Sequence, residues 1–140
     1  MLALSVAYYF FRSPDDAKGC SGTAACFSGV VSRVIDGDTL EVNGQRIRLV
    51  LVDAPERDTS AGPASTNYLR QLCPVGSAAL VDQDDRQLAD DYGRMLAVVW
   101  CGGQRANEAM IRAGHAGLYR RFCRQSEFGH EPWALALGCR

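Results

Sequence analysis

The chain runs to 140 residues with a formal net charge of −1. That length makes one domain with a single core, burying roughly two-thirds of the surface an unfolded chain exposes. Near-neutrality excludes affinity for a polyanion through bulk basicity, so any anionic partner has to be met by a local cluster of cations. Those cations are nearly all arginine, Lys18 being the only lysine. Genomic composition explains that bias more simply than selection for bidentate contacts.

Residues 2–11, LALSVAYYFF, form an apolar run of ten, well short of the roughly twenty needed to span a bilayer. The run lacks a basic leader and a small-residue cleavage site. It reads as the truncated end of a signal or anchor, with a packed strand as the other reading. Residues 12–22 carry Pro, paired Asp and Gly without periodicity, as a linker does. The expected division is 1–22 as targeting remnant or linker and 23–140 as the domain.

Residues 27–35, FSGVVSRVI, alternate apolar with small polar residues and predict a first strand. Residues 34–56, VIDGDTLEVNGQRIRLVLVDAPE, concentrate the polar chemistry of the chain. Asn43-Gly44 separates two runs of Val, Leu and Ile, and both residues tolerate the positive φ of a two-residue hairpin turn. With a period of two, Arg46, Arg48, Val50 and Val52 share one face of the second strand, and Ile47, Leu49, Leu51 and Asp53 the other. Arg48 is thereby framed by apolar residues, a costly place for a charge without a partner or ligand. The strand is expected to end at Asp53-Ala54-Pro55-Glu56, where proline cannot join a ladder. Asp38 and Asp53, with no His or Cys beside them, suit a hard cation such as calcium better than zinc.

Residues 57–62 are a polar loop, and Gly62-Pro63 opens a helix with proline in its first turn. Its stripe of Tyr68, Leu69 and Leu72 covers the core, and Cys73-Pro74 ends it. Residues 78–81 predict a short strand running into the acids Asp82, Asp84, Asp85, Asp90 and Asp91, whose irregular spacing reads as a solvated loop. Tyr92-Gly93-Arg94 leads into MLAVVW, apolar enough to be a central strand. Gly102-Gly103 makes a turn, residues 107–113 a helix, and Gly114 a left-handed stop. Glu108 and His115 read as structural. Tyr119, Arg120, Arg121, Phe122 and Arg124 interleave cations with aromatics, the composition of a surface that stacks bases and pairs phosphates. Residues 126–138 predict a last helix with Trp133, Leu135 and Leu137 on its core side.

Six cysteines, without the C-x-x-C spacing of a zinc or redox site, read as three disulfides in an oxidising compartment, with buried thiols as the alternative. Fifteen connectivities are possible for six cysteines.

The 34–56 run resembles the signature of the thermonuclease family, the staphylococcal nuclease-like enzymes. The resemblance continues at Asp91-Tyr92-Gly93-Arg94 and Asn107-Glu108-Ala109, and covers residues 27–116. It implies an α+β, mainly β fold: a five-stranded OB barrel with about three packed helices. It implies calcium-dependent hydrolysis of DNA and RNA phosphodiesters at the 5′-side P–O bond, leaving 3′-phosphates. Position by position, Asp38 and Asp53 match the calcium carboxylates, supported by Asp36, and Ala54 matches a ligand acting through its carbonyl. Arg48 and Arg94 match the phosphate-binding arginines, and Glu56 the catalytic glutamate. Tyr92, Arg120 and Phe122 are the expected substrate-binding residues, although Arg120 and Phe122 stand where the family places tyrosines. Asp91 stands where the family often carries lysine. The implied fold pairs Cys73 with Cys101, Cys123 with Cys139 and, by remainder, Cys20 with Cys26. The expected partners are DNA and RNA, single strands preferred, acted on by a monomer with no obligate protein partner, outside the cell or anchored facing out. The rival reading is a catalytically silent OB module that binds nucleic acid or protein.

Overall fold

The computed structural model describes residues 20–140, so the run and linker expected over 1–22 lie, up to residue 19, outside the described residues. Strand β1 (Cys26–Asp36) is long enough to serve two neighbours. Its first half pairs antiparallel with β5 (Ala78–Gln83) and its second half with β2 (Thr39–Val42). Register shifts between Val31 and Arg33 and between Val34 and Asp36 mark the bulges that let it coil from one side of a barrel to the other. Strand β2 turns through Asn43 (φ 53°) and Gly44 (φ 77°) into β3 (Gln45–Leu49), the tight hairpin that Asn-Gly specifies. Strand β6 (Met95–Cys101) pairs antiparallel with β5 and parallel with β3, and this last pairing closes a five-stranded barrel. The short strands β4 (Val52–Asp53) and β8 (Gly117–Leu118) pair beside it, and β7 (Gln104–Arg105) extends β6. The fold is thus mainly β, with three helices among the described residues.

Alternate residues of the strands point inward, as the pleat requires: Val31, Leu40, Val42, Ile47, Leu49, Val81, Ala97 and Val99 are buried together. Helix α1 (Gly62–Leu72) covers one end with Leu69, and α2 (Ala106–Arg112) another with Met110. Each such side chain contributes about 1.5–3 kcal/mol by leaving water. A second cluster packs Val50, Leu51, Val98 and Phe128 against Trp133 and Ala134 of the C-terminal helix α3 (Pro132–Leu137). Disulfides join Cys20 to Cys26, Cys73 to Cys101 and Cys123 to Cys139, consistent with an oxidising environment. Cys73–Cys101 ties the end of α1 to the end of β6, and Cys123–Cys139 ties the C-terminal segment to itself.

Four expectations need correction. The strand expected to run unbroken to Asp53 breaks after Leu49, because Leu51 adopts a left-handed φ of 68° before β4 resumes. Facial alternation fails there: Val50, Leu51 and Val52 are all buried while Asp53 is exposed. The acidic segment is not uniformly solvated either, since Asp82 and Asp84 are 1% and 0% exposed. Asp84 accepts from the backbone N–H groups of Arg86, Gln87 and Glu127, and Asp82 from that of Ser21, so both serve loop amides that have no strand partner. Finally, Ser126 caps a 3-10 turn (Glu127–His130) and α3 starts only at Pro132. The shortened helix leaves Leu135, expected on the core side, 39% exposed.

Candidate active site

The tight 36–38 turn and the 53–56 corner bring carboxylates to one end of the barrel. Asp36 Oδ1 accepts the Asp38 N–H at 3.1 Å, an Asx turn that aims the Asp38 side chain inward. Asp38 is only 8% exposed. Its Oδ1 accepts from Thr39 Oγ1 at 3.0 Å, and its Oδ2 from the Ala54 N–H at 3.2 Å. The Asp38 carboxylate therefore touches the corner that carries Asp53 and Ala54. Burial pushes its carboxyl up to about 6, against the opposing attraction of Arg48, whose Nη2 lies 3.4 Å from Oδ2.

The break at Leu51 explains how Arg48 is tolerated in an apolar strand. Because the chain wraps back at residues 49–52, the Arg48 guanidinium donates to the carbonyls of Leu49 (3.0 Å) and Val52 (2.7 Å). Its charge is thus half-buried but partnered, and the planar fork is held in place. Arg94, at the entry to β6, donates from Nε to Asp90 at 2.6 Å and from Nη1 to Thr39 Oγ1 at 3.3 Å. Burial pushes the Asp90 carboxyl up, but hydrogen bonds from Arg94 and from the Tyr92 N–H outweigh it and hold Asp90 below its ordinary value. Strands β3 and β6 are neighbours in register, so the two arginines project from one wall.

Both arginines line a cavity of about 320 Å³ whose other walls include Tyr92, Tyr119, Phe122 and Leu96. Tyr119 packs edge-on to Phe122 at 4.8 Å and lies beneath Arg48 at 5.9 Å. Tyr92 is 84% exposed at the rim, its ring 5.4 Å from the Arg94 guanidinium. Arg120 is not brought to this cavity; its guanidinium lies against Gly138. Tyr119 takes that place, held by a hydrogen bond from its N–H to the Leu51 carbonyl at 2.8 Å. The interleaved run 119–124 signals an aromatic surface but not which residue faces inward, because a 3-10 turn (Arg120–Phe122) follows immediately. Asp90 and Asp91 also line the cavity, an acidic edge that a polyanion meets on entry.

Glu56 is exposed and shares an open depression with Asp36, Arg57 and Asp58. Asp53 and Ala54 line a neighbouring one with His115 and Gly117. His115 stacks on Tyr68 at 4.6 Å, a structural arrangement. Among the described residues, no three His, Cys, Asp or Glu side chains gather as a ready-made metal cluster. The donors do fit a hard cation in kind: oxygen only, with one carboxylate buried beyond what a single arginine offsets. Such an ion would be held by Asp38, Asp53, the Ala54 carbonyl and water, a set calcium and magnesium accept.

Comparison with known proteins shows the family. The sequence model described as staphylococcal nuclease homologue matches residues 46–136. An uncharacterized endonuclease of Escherichia coli O157:H7 is 41% identical over 99 residues, covering 67% of this chain and 62% of the relative. Protein ParB of Escherichia coli is 36% identical over 105 residues (66% and 57%). A thermonuclease of Staphylococcus intermedius is 35% identical over 117 residues (76% and 64%). The chain spans less than two-thirds of the length of each of these relatives. With a barrel closed by β3 and β6, two arginines on that seam and a family match over most of the domain, the chain belongs to the staphylococcal nuclease homologue family.

Proposed function

We propose that this domain is a calcium-dependent nuclease that hydrolyses phosphodiesters of DNA and RNA, favours single strands, and works as a monomer outside the cell or anchored facing out. The observation that carries this reading is the pairing of Arg48 and Arg94 on one cavity walled by Tyr119, Phe122 and Tyr92. A phosphodiester is an anion flanked by bases, and planar forked donors beside aromatic faces are its complement. Arg48 and Arg94 bind the non-bridging oxygens and stabilise the charge that builds on them as water attacks. Their own bonds to the Leu49 and Val52 carbonyls and to Asp90 hold both guanidiniums in orientation beforehand, so little rearrangement accompanies the reaction. To Glu56, exposed and without a side-chain hydrogen bond among the described residues, we assign the orienting of the attacking water and the taking of its proton. Tyr119 and Phe122 stack a base, and an unpaired strand offers its base face more readily than a duplex. A bound calcium, held by Asp38, Asp53 and the Ala54 carbonyl with Asp36 in support, supplies a Lewis acid and a template for the phosphate.

Arg48→Ala tests the reading. Turnover on single-stranded DNA and on RNA should fall by roughly three orders of magnitude, as for arginines in other phosphoryl transfers. Wild-type protein that binds DNA but cleaves neither substrate would instead favour a silent binding module, and an Arg48→Ala variant of near-normal activity would remove the arginine from the mechanism.

A further inference from the structure

The proposed water-orienting glutamate and the buried acid sit on different loops, and both loops rest on the same turn of helix. We propose that Gly62 and Ser65, in the first turn of α1, are positioning residues that fix Glu56 relative to the 36–38 turn. The inference rests on the nuclease reading above and adds to it which residues set the geometry.

The contacts are specific. A side-chain carbon added at Gly62 would collide with the Glu56 carbonyl and lie 2.8 Å from the Arg57 carbonyl, both of them backbone. Gly62 is buried, and its φ lies outside the left-handed region, so its glycine is required by the close approach of this loop and not by its own conformation. One turn further, Ser65 is fully buried beneath Gly37. A carbon added at Gly37 would strike Ser65 Oγ and lie 2.9 Å from both Ser65 Cβ and Ala54 Cβ. Ser65 Oγ donates to the His115 carbonyl at 2.8 Å, which pins the serine itself. Asp36 and Asp38 flank Gly37, so the loop with the buried acid and the loop with Glu56 are both seated on α1 by residues with almost no side chain. Thr59 closes the Glu56 loop from the other side: its N–H (3.1 Å) and its Oγ1 (2.7 Å) both donate to the Glu56 carbonyl. The Gly62 N–H in turn donates to the Thr59 carbonyl at 3.2 Å. Arg48 and Arg94 meet the neighbouring turn through Asp38 and Thr39 and line a cavity that Glu56 does not, so a change at Gly62 bears on Glu56 before it bears on substrate capture.

The test is steady-state cleavage of a single-stranded oligonucleotide by wild type, Gly62→Ala, Thr59→Val and Thr59→Ser, with thermal unfolding of each. Gly62→Ala has to displace the Glu56 loop by about an ångström, and a misplacement of that size costs on the order of 10²-fold in turnover. Expected are a fall in kcat of that order with KM within about twofold, a several-fold fall for Thr59→Val, and near-wild-type kcat for Thr59→Ser. Should Gly62→Ala not fold, the Thr59 pair decides. An active wild type whose Gly62→Ala and Thr59→Val variants keep its kcat would overturn the inference alone. So would losses that track the fraction unfolded or that fall on KM. An inactive wild type would remove the nuclease reading and this inference with it.

Discussion

Replacing Asn107 by leucine should destabilise the domain far more than the change in shape suggests. Strand β6 pairs with β3 only as far as Ala97 and with β7 only from Trp100, so the edge between them has no strand beside it. The fully buried Asn107 amide fills that gap. Its Oδ1 accepts the Val99 N–H at 3.0 Å, and its Nδ2 donates to the carbonyls of Val50 (2.9 Å) and Ala97 (3.1 Å). Ala97 keeps a second donor in the Val50 N–H at 3.0 Å. Leucine, which keeps the same branching but has no hydrogen-bonding atoms, therefore strands two buried backbone groups, the Val99 N–H and the Val50 carbonyl. At about 1–3 kcal/mol each the cost is roughly 4 kcal/mol. For a domain of this size that lowers Tm by roughly 15 °C. The assay is calorimetry or circular dichroism on oxidised protein. A loss below about 1 kcal/mol would refute the argument that this side chain stands in for a missing strand.

Glu56→Gln should lower turnover by roughly 10²–10⁴-fold, the usual contribution of a general base, while unfolding at the wild-type temperature, since its side chain is exposed. Converting both Cys73 and Cys101 to alanine opens a bridge with a sequence separation of 28, and urea titration should show a loss of about 3–4 kcal/mol. Burial pushes the Asp82 carboxyl up to about 7, against the hydrogen bond it accepts from Ser21. Between its ordinary value and about 7 the folded state holds a proton that the unfolded state releases, so stability should be full in acid and decline as pH rises through that window. Asp82→Asn should flatten the dependence; an unchanged slope of urea midpoint against pH would show that another group is responsible.

The local rules of strand and turn carried most of the barrel into view. Asn43-Gly44 specifies a hairpin by its tolerance of positive φ, and the alternating apolar runs on either side specify which face is buried. Arg48 stands out because a charge inside an apolar strand needs a reason, whereas Asp38, Asp53, Glu56 and Arg94 are singled out together only by the resemblance to a nuclease family. Leu51 was not legible, because a non-glycine residue in a left-handed conformation leaves no mark in sequence. That same kink supplies the carbonyls that hold Arg48, so the most useful irregularity of the site is also the hidden one. Asp82 and Asp84 misled because composition shows how many acids a loop contains, but not which loop amides need acceptors. Which of Tyr119 and Arg120 lines the cavity is hidden for a similar reason: one residue of slip at a 3-10 turn decides which side chain enters it. The seats at Gly62 and Ser65 depend on the close approach of the Glu56 loop and of Gly37, and only three-dimensional contact reveals them.

The most direct measurement of the central claim is degradation of single-stranded DNA by the purified, oxidised protein with calcium, with magnesium and with a chelator. Cleavage with calcium that disappears on chelation, from a protein folded in all three conditions, is the predicted result. A folded protein that binds the DNA and leaves it intact in every condition would contradict the account.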